Sequence, residues 1–230
     1  MWRILKFLLV AVCFFGVSFG SEVEDLKKAC ELGSRDGCES LWRFYQVGKG
    51  VKQDDKKASE YFTKACDLGS GLICKELGDL YAKGRGVKQD DKKASEYYAK
   101  ACDDSRDSNG CYNLGVFYNE GKGVKQDYKK VREYYAKACD MGEGIGCENL
   151  GDLYAKGKGV KQDYKKAGEY FTKACEMGDG VGCVIVATMY VDGKGVRQDY
   201  NIAKEYYDRA CDLMEQKGCD AYELLNEKDY

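Results

Sequence analysis

Thirteen cysteines and no histidine make up the reactive side chains of this 230-residue chain. Twelve of the cysteines fall into pairs: Cys30/Cys38, Cys66/Cys74, Cys139/Cys147, Cys175/Cys183 and Cys211/Cys219 are spaced C-x7-C, and Cys102/Cys111 is C-x8-C. Paired thiols serve metal binding, nucleophilic catalysis or disulfide formation. Structural zinc wants C-x2–4-C with histidines or further cysteines close by. This spacing is longer and histidine is missing, so the expectation is no metal and no cofactor. An even count at regular spacing in an exported chain argues for disulfides. Connectivity cannot be proved from sequence; bridging within each pair is the simplest choice. Each bridge would close a loop of about nine residues and contribute roughly 2.5 kcal/mol.

The elements that must hold these cysteines repeat with them. The first members of the pairs are 36, 36, 37, 36 and 36 residues apart, a period that marks a repeat array. Within a unit, Leu77 and Tyr81 lie four apart on one helical face, as do Leu41/Tyr45, Leu114/Tyr118, Leu150/Tyr154 and Val186/Tyr190. This is helix A. It carries a mid-helix glycine (Gly78, Gly115, Gly151), replaced by Trp42 and Ala187 in two units. Such a glycine costs about 1 kcal/mol and implies a close approach, with a wider or terminal setting at Trp42. Helix A ends at G-x-G-V, where the first glycine suits a left-handed cap. A phosphate-binding loop would need a preceding strand and a following G-K-[ST], which are missing. Asp54, Asp90, Asp127, Asp163 and Asp199 then cap helix B, whose apolar stripe is Ala94/Tyr97/Tyr98/Ala101 and its equivalents. The tyrosines read as core, being on the only apolar face of that helix. Helix B is expected to end at the first cysteine of a pair and the next helix A to begin at the second.

The expected fold is all-α, a disulfide-stapled superhelical solenoid of αα-hairpins in a single domain over 21–230. It begins with a half-repeat at 22–32, continues through five αα repeats over about 36–213 and ends with a cap helix at 217–227. The segment 103–110 is its one irregular junction. Residues 1–20 place Arg3 and Lys6 before an apolar run from Phe7 to Phe15. They read as a signal peptide cleaved near Gly20, with a membrane helix or a lipid-modified Cys13 as rivals. The run is shorter than the ~20 residues a span needs, so no stable membrane span is expected and the location is secreted or periplasmic. The net charge is −2, which gives no footprint for nucleic acid. Runs such as Lys56-Lys57 and Lys92-Lys93 alternate with carboxylates and read as solvated helix faces.

The pattern L-G-x-x-Y…G-x-G-V-x-x-D…K-A-x-x-Y-Y-x-K-A resembles the Sel-one-like repeat, a relative of the tetratricopeptide repeat. With C-x7-C in nearly every unit, it is similar to the Helicobacter cysteine-rich protein family. That resemblance implies a secreted protein with disulfide-linked hairpins in a right-handed superhelix. It also implies penicillin binding, weak β-lactamase activity and action on host immune cells.

The residues themselves supply no catalytic set. Ser-x-x-Lys, Ser-Asp-Asn and Lys-Thr-Gly do not occur, so the catalytic residue is unknown. The binding reading uses the concave surface of a solenoid, which helix A lines by analogy. Its variable stripe offers Arg43, Glu76, Asp79, Lys83, Asn113, Asn149, Asp152 and Lys156. Asn113 and Asn149 are the leading candidates, because carboxamides donate and accept at once along an extended peptide. The expected ligand is a peptide, a peptidoglycan fragment or a β-lactam acting as its mimic. The alternative is a non-enzymatic extracellular protein that meets a host or envelope protein.

Overall fold

The computed structural model describes residues 21–85 and 87–227; the expected export signal and its cleavage position lie outside them. Among the described residues there are twelve α-helices. The B helices are α1 (21–31), α3 (Asp55–Asp67), α5 (Asp91–Ala99), α7 (Tyr128–Asp140), α9 (Tyr164–Glu176) and α11 (Tyr200–Asp212). The A helices are α2 (Arg35–Val47), α4 (Gly71–Lys83), α6 (Ser108–Glu120), α8 (Gly144–Lys156), α10 (Gly180–Asp192) and α12 (Gln216–Glu227). α4, α6, α8 and α10 each pack against the B helix before and the B helix after, α2 packs against α3, and α12 against α11.

The A-to-B turn is closed at both ends. The aspartate before each of α3, α5, α7, α9 and α11 accepts N–H bonds from the first helical turn. The same five aspartates donate their own N–H groups to the carbonyls of Tyr45, Tyr81, Tyr118, Tyr154 and Tyr190 at 3.0–3.3 Å. The first glycine of G-x-G-V is left-handed throughout, with φ between 64° and 73° at Gly48, Gly84, Gly121, Gly157 and Gly193. A second requirement is carried by the other glycine. Gly123, Gly159 and Gly195 are also left-handed, and a Cβ on them would strike Asp91, Tyr128 and Tyr164 at the start of the preceding repeat's B helix. These three turns are thereby seated on the preceding repeat, and the antiparallel alternation of A and B helices puts the A-to-B turns along one edge of the array.

The B-to-A turns form the opposite edge. All six bridges join the pairs expected from the sequence: Cys30–Cys38, Cys66–Cys74, Cys102–Cys111, Cys139–Cys147, Cys175–Cys183 and Cys211–Cys219, with Cα–Cα separations of 4.5–4.8 Å. The expected start of helix A is corrected. Helix A does not begin at Cys38, Cys74, Cys111, Cys147 or Cys183 but earlier, at Arg35, Gly71, Ser108, Gly144 and Gly180. In three of the five the physical reason is a side-chain cap; α4 and α8 start at the same place without one. Ser34, Asp107 and Asp179 stand before the starts of α2, α6 and α10 and accept N–H bonds from the first turn, which sets the helix end ahead of the cysteine. The second cysteine of each pair is therefore already inside helix A and faces the end of helix B.

The residue before the second cysteine is Gly37, Gly110, Gly146, Gly182 or Gly218 in five of the six turns. A Cβ at Gly110 would sit 2.5 Å from that of Ala101, which shows how closely A meets B here. The single residue added at 103–110 is absorbed as a π-helical turn, Lys100–Asp104, at the end of α5. Arg106 follows with φ 54°. Ion pairs Lys100–Asp67, Lys137–Asp103 and Lys173–Asp140 (2.5–2.9 Å) tie successive B helices. They are exposed, and each contributes little.

Ten of the bridged cysteines are buried, whereas Cys211 and Cys219 are only half-buried. Thiol–disulfide exchange requires access to a sulfur. Under native conditions with limiting reductant, Cys211–Cys219 is expected to open first. Alkylation followed by peptide mass mapping checks the order.

The aromatic pairs of helix B serve two packing roles. The second ring rests on the mid-helix glycine of A: a Cβ at Gly78, Gly115 or Gly151 would lie 2.5, 2.6 or 2.8 Å from Tyr98, Tyr135 or Phe171. The close approach inferred from these glycines is thus between a ring and the backbone. At Trp42 the indole instead tilts against Phe62, with centroids 4.5 Å apart. The first ring stacks on the A-helix tyrosine in every repeat: Tyr45/Tyr61, Tyr81/Tyr97, Tyr118/Tyr134, Tyr154/Tyr170 and Tyr190/Tyr206 lie 5.5–6.0 Å apart.

Candidate functional site

A cavity of about 490 Å³ opens between α2 and α4 with α3 at its back. Its floor is Trp42, Phe62, Leu77 and Leu80, and its rim carries Glu76, Asp79, Lys83 and Arg85. A cavity of about 270 Å³ lies between α8 and α10, lined by Phe171, Ile185, Thr188, Asp192 and Lys194 among others. The two are the same place in the array, three repeats apart. Phe171 stands where Phe62 does, Ile185 where Glu76 does, Thr188 for Asp79, Asp192 for Lys83 and Lys194 for Arg85. The framework is retained while the rim changes in charge and polarity. Trp42, which replaces the ring-cradling glycine, enlarges the wall of the first cavity.

Three of the sequence-nominated residues therefore meet in one cavity: Glu76, Asp79 and Lys83. Asp79 already has partners. Its carboxylate accepts the Tyr98 hydroxyl at 2.7 Å and pairs with Lys75 at 3.0 Å. Burial pushes its pKa up, but the Tyr98 hydroxyl, Lys75 and Lys83 outweigh this and hold it below the usual carboxylate value. Burial, then Asp79, pushes the Tyr98 hydroxyl well up, so it stays a neutral donor. Arg43 is exposed, its guanidinium 5.8 Å from the Trp42 ring centroid. Asn149 donates its amide to the Ile145 carbonyl of its own helix at 2.8 Å, so that donor is turned away from a ligand. Asn113 is half-buried on α6. Asp152 lines the second cavity and pairs with Lys156 one turn on.

The bridged cysteines are no part of either cavity's lining. Cys38, Cys74, Cys111, Cys147 and Cys183 are all 0% exposed, sealed between the last turn of B and the first turn of A. No ligand can touch them in the folded chain, so they are staples of the fold and not surface site residues. Sequence reading missed Arg85, which follows the first turn glycine, and the aromatic floor of Trp42 and Phe62. Trp42 breaking the glycine pattern was the available signal.

Beside the second cavity Glu148 has its pKa raised to about 7, by burial first and then by the charges of Asp179 and Asp152. A folded-state pKa above the ordinary carboxylate value makes the protonated form the favourable one. That stability is complete below the unfolded pKa and is lost as pH rises through about 7. Glu148→Gln is expected to raise the melting temperature by a few degrees at about pH 8 and to leave it unchanged near pH 4. The effect is moderated by the partial exposure of the group. Thermal unfolding at the two pH values checks it.

The Sel1 repeat model matches residues 37–70, 74–105, 108–143, 145–179 and 181–213, each one A–B unit. The chain belongs to the Sel1 repeat family. No curated protein sequence matches it. Among solved structures it is similar to c5321, a protective antigen of uropathogenic Escherichia coli strains displaying an SLR fold, with a TM-score of 0.78 and 29% identity. The alignment covers 89% of this chain and 44% of that one, so the chain spans less than half the antigen's length. A Sel1 repeat protein from Oxalobacter formigenes aligns with a TM-score of 0.71 and 23% identity over 87% and 84% of the two chains. Helicobacter pylori cysteine rich protein B is 37% identical over 60% of this chain and 98% of its own, with a TM-score of 0.48. The Sel1 repeats here form the expected all-α solenoid with a disulfide at each B-to-A turn.

Proposed function

We propose that this Sel1 repeat protein works outside the cytoplasm as a docking module. It holds the carboxylate end of a peptide or peptidoglycan fragment in the cavity between α2 and α4. The observation that carries this reading is the pair of equivalent cavities, with one apolar framework and two different polar rims. A shared floor fixes depth, and a changed rim changes what is selected. In the first cavity Lys83 and Arg85 offer cationic partners for a carboxylate, while Glu76 accepts N–H groups. Trp42, Phe62, Leu77 and Leu80 take a small apolar side chain. The bridges fit an oxidising compartment, in keeping with a secreted or periplasmic location.

A β-lactam is the narrower form of the same ligand, its carboxylate falling to Lys83 and Arg85. Weak hydrolysis, which the cysteine-rich resemblance implies, is tested by turnover of a chromogenic β-lactam with intact mass before and after. A host or envelope protein presenting such an end would use the same cavity without turnover.

The deciding experiment titrates short peptides with free and amidated C-termini into the oxidised protein by calorimetry. The free acid is expected to bind about tenfold tighter or more, and Lys83→Gln/Arg85→Gln to erase the difference with the circular dichroism unchanged. Equal binding of acid and amide, or an unaffected double variant, would sink the reading.

A further inference from the structure

The small net charge of the chain conceals a separation. The A-to-B turns with the first residues of helix B are 48–57, 84–93, 121–130, 157–166 and 193–202. They hold eighteen Lys and Arg against seven Asp. The six B-to-A turns, from first to second cysteine, hold three basic residues against twelve acidic ones. The antiparallel alternation of A and B helices puts all of the first set on one edge, and the disulfide-bridged turns of the second set lie on the other. One edge therefore carries a net charge of +11 and its opposite −9.

The basic edge is also shaped. Tyr45, Val51, Lys52, Gln53, Asp54 and Lys57 line a concavity of about 490 Å³. Its equivalent, with Tyr154, Lys161, Gln162 and Lys166, encloses about 440 Å³. Each holds one lysine from the turn and one from helix B. The four helix B lysines Lys57, Lys93, Lys130 and Lys166 lie 4.6–5.3 Å from the centroids of Tyr45, Tyr81, Tyr118 and Tyr154.

We infer that the basic edge binds a linear acidic polysaccharide, whose successive sulfate or carboxylate groups run from one turn to the next. Two cationic concavities three repeats apart, with the Lys–Tyr pairs Lys93/Tyr81 and Lys130/Tyr118 in the turns between them, match a chain with regularly spaced anions. Two other polyanions fit less well. A single-stranded nucleic acid gains affinity by stacking bases on aromatic faces, yet these tyrosines are covered by the partner tyrosine and by lysine. A membrane surface is held by apolar side chains inserted beside the charges, but the turn valines Val51, Val124 and Val196 pack onto the core. The site is on the solenoid's edge and does not depend on the proposed groove.

The test measures binding of the oxidised protein at physiological ionic strength to four probes. These are heparin fragments of increasing length, polygalacturonate, a single-stranded DNA oligonucleotide and vesicles rich in phosphatidylglycerol. Polysaccharide affinity is expected to rise with fragment length and to fall steeply with salt, as counterion release requires. Preference for heparin or for polygalacturonate distinguishes a sulfated from a uronate source. Lys52→Glu/Lys161→Glu is expected to weaken binding about tenfold or more, while Lys83→Gln, on the rim of the first cavity and outside the turns, leaves it unchanged. Failure of both polysaccharides to bind, insensitivity to the Lys52/Lys161 variant, or DNA or vesicles binding as tightly would overturn the inference.

Discussion

Cys139→Ala/Cys147→Ala is expected to lose about 3 kcal/mol of stability and to split one unfolding transition into two. The bridge closes a short loop, and its chain-entropy contribution is about 2.5 kcal/mol. Cys139 and Cys147 are both fully buried, so the truncation also leaves unfilled space between α7 and α8. The splitting follows from position. A solenoid is stabilised by nearest-neighbour interfaces, and this bridge sits near the middle of the array. Weakening it lets the repeats on either side unfold apart. Cys211→Ala/Cys219→Ala removes a chemically identical bridge at the C-terminal end, where both cysteines are half-buried. It is expected to loosen α12 while keeping a single main transition. Calorimetric scans of the two variants decide. A single transition displaced equally in both would mean that the bridges act only on the unfolded chain.

Gly123→Ala is expected to cost about 3 kcal/mol or more, against about 1 kcal/mol for Gly142→Ala. The two glycines share the left-handed region, with φ of 63° and 92°. Their surroundings differ. The Cβ at Gly123 would fall on the Asp91 carbonyl and the Lys92 amide nitrogen, rigid backbone at the start of α5. At Gly142 nothing lies within 4 Å. The difference between the two losses isolates the crowding between turns from the strain of the backbone. A shift of roughly 2–4 °C per kcal/mol places the two variants well apart in a thermal melt. Equal losses would mean that the turns do not seat on one another as described.

Much of this fold was legible because the residues that set it recur in register. Caps at Asp54 and its equivalents, left-handed glycines at Gly48 and its equivalents, and the bridges themselves each follow from a local requirement of the chain. The start of helix A lies ahead of the second cysteine, and in α2, α6 and α10 the signal was the caps Ser34, Asp107 and Asp179, which were not read as such. The second glycine of G-x-G-V was not legible as a contact, because its reason lies in the preceding repeat. At Gly78 a close approach was legible but not its partner, the Tyr98 ring on the following helix, and the glycine before the second cysteine in five of the six turns has its reason in the preceding B helix. The π-helical turn at Lys100–Asp104 was visible only as an added residue, with no sign of where the chain would absorb it.

The candidate site was less legible for a different reason. Helix phase gave Glu76, Asp79 and Lys83 one face, and the structure brings them to one cavity. Phase alone could not show that Asp79 is held by Tyr98 and Lys75, or that Asn149 turns to Ile145. Nor could it bring in Trp42 and Phe62 from neighbouring helices. The lysine runs, read as solvated helix faces, become a continuous basic edge only once the turns are known to stack.

The bridged turns also bear on how the chain meets proteases. Exposed turns are where chains are nicked, and Arg35, Arg106 and Lys217 all lie between the two cysteines of a bridge. A cut after any of them opens the backbone inside a closed loop, so the pieces stay covalently joined and the neighbouring helices stay paired. Such a molecule would run as intact on a non-reducing gel and fall into fragments only when its disulfides are opened.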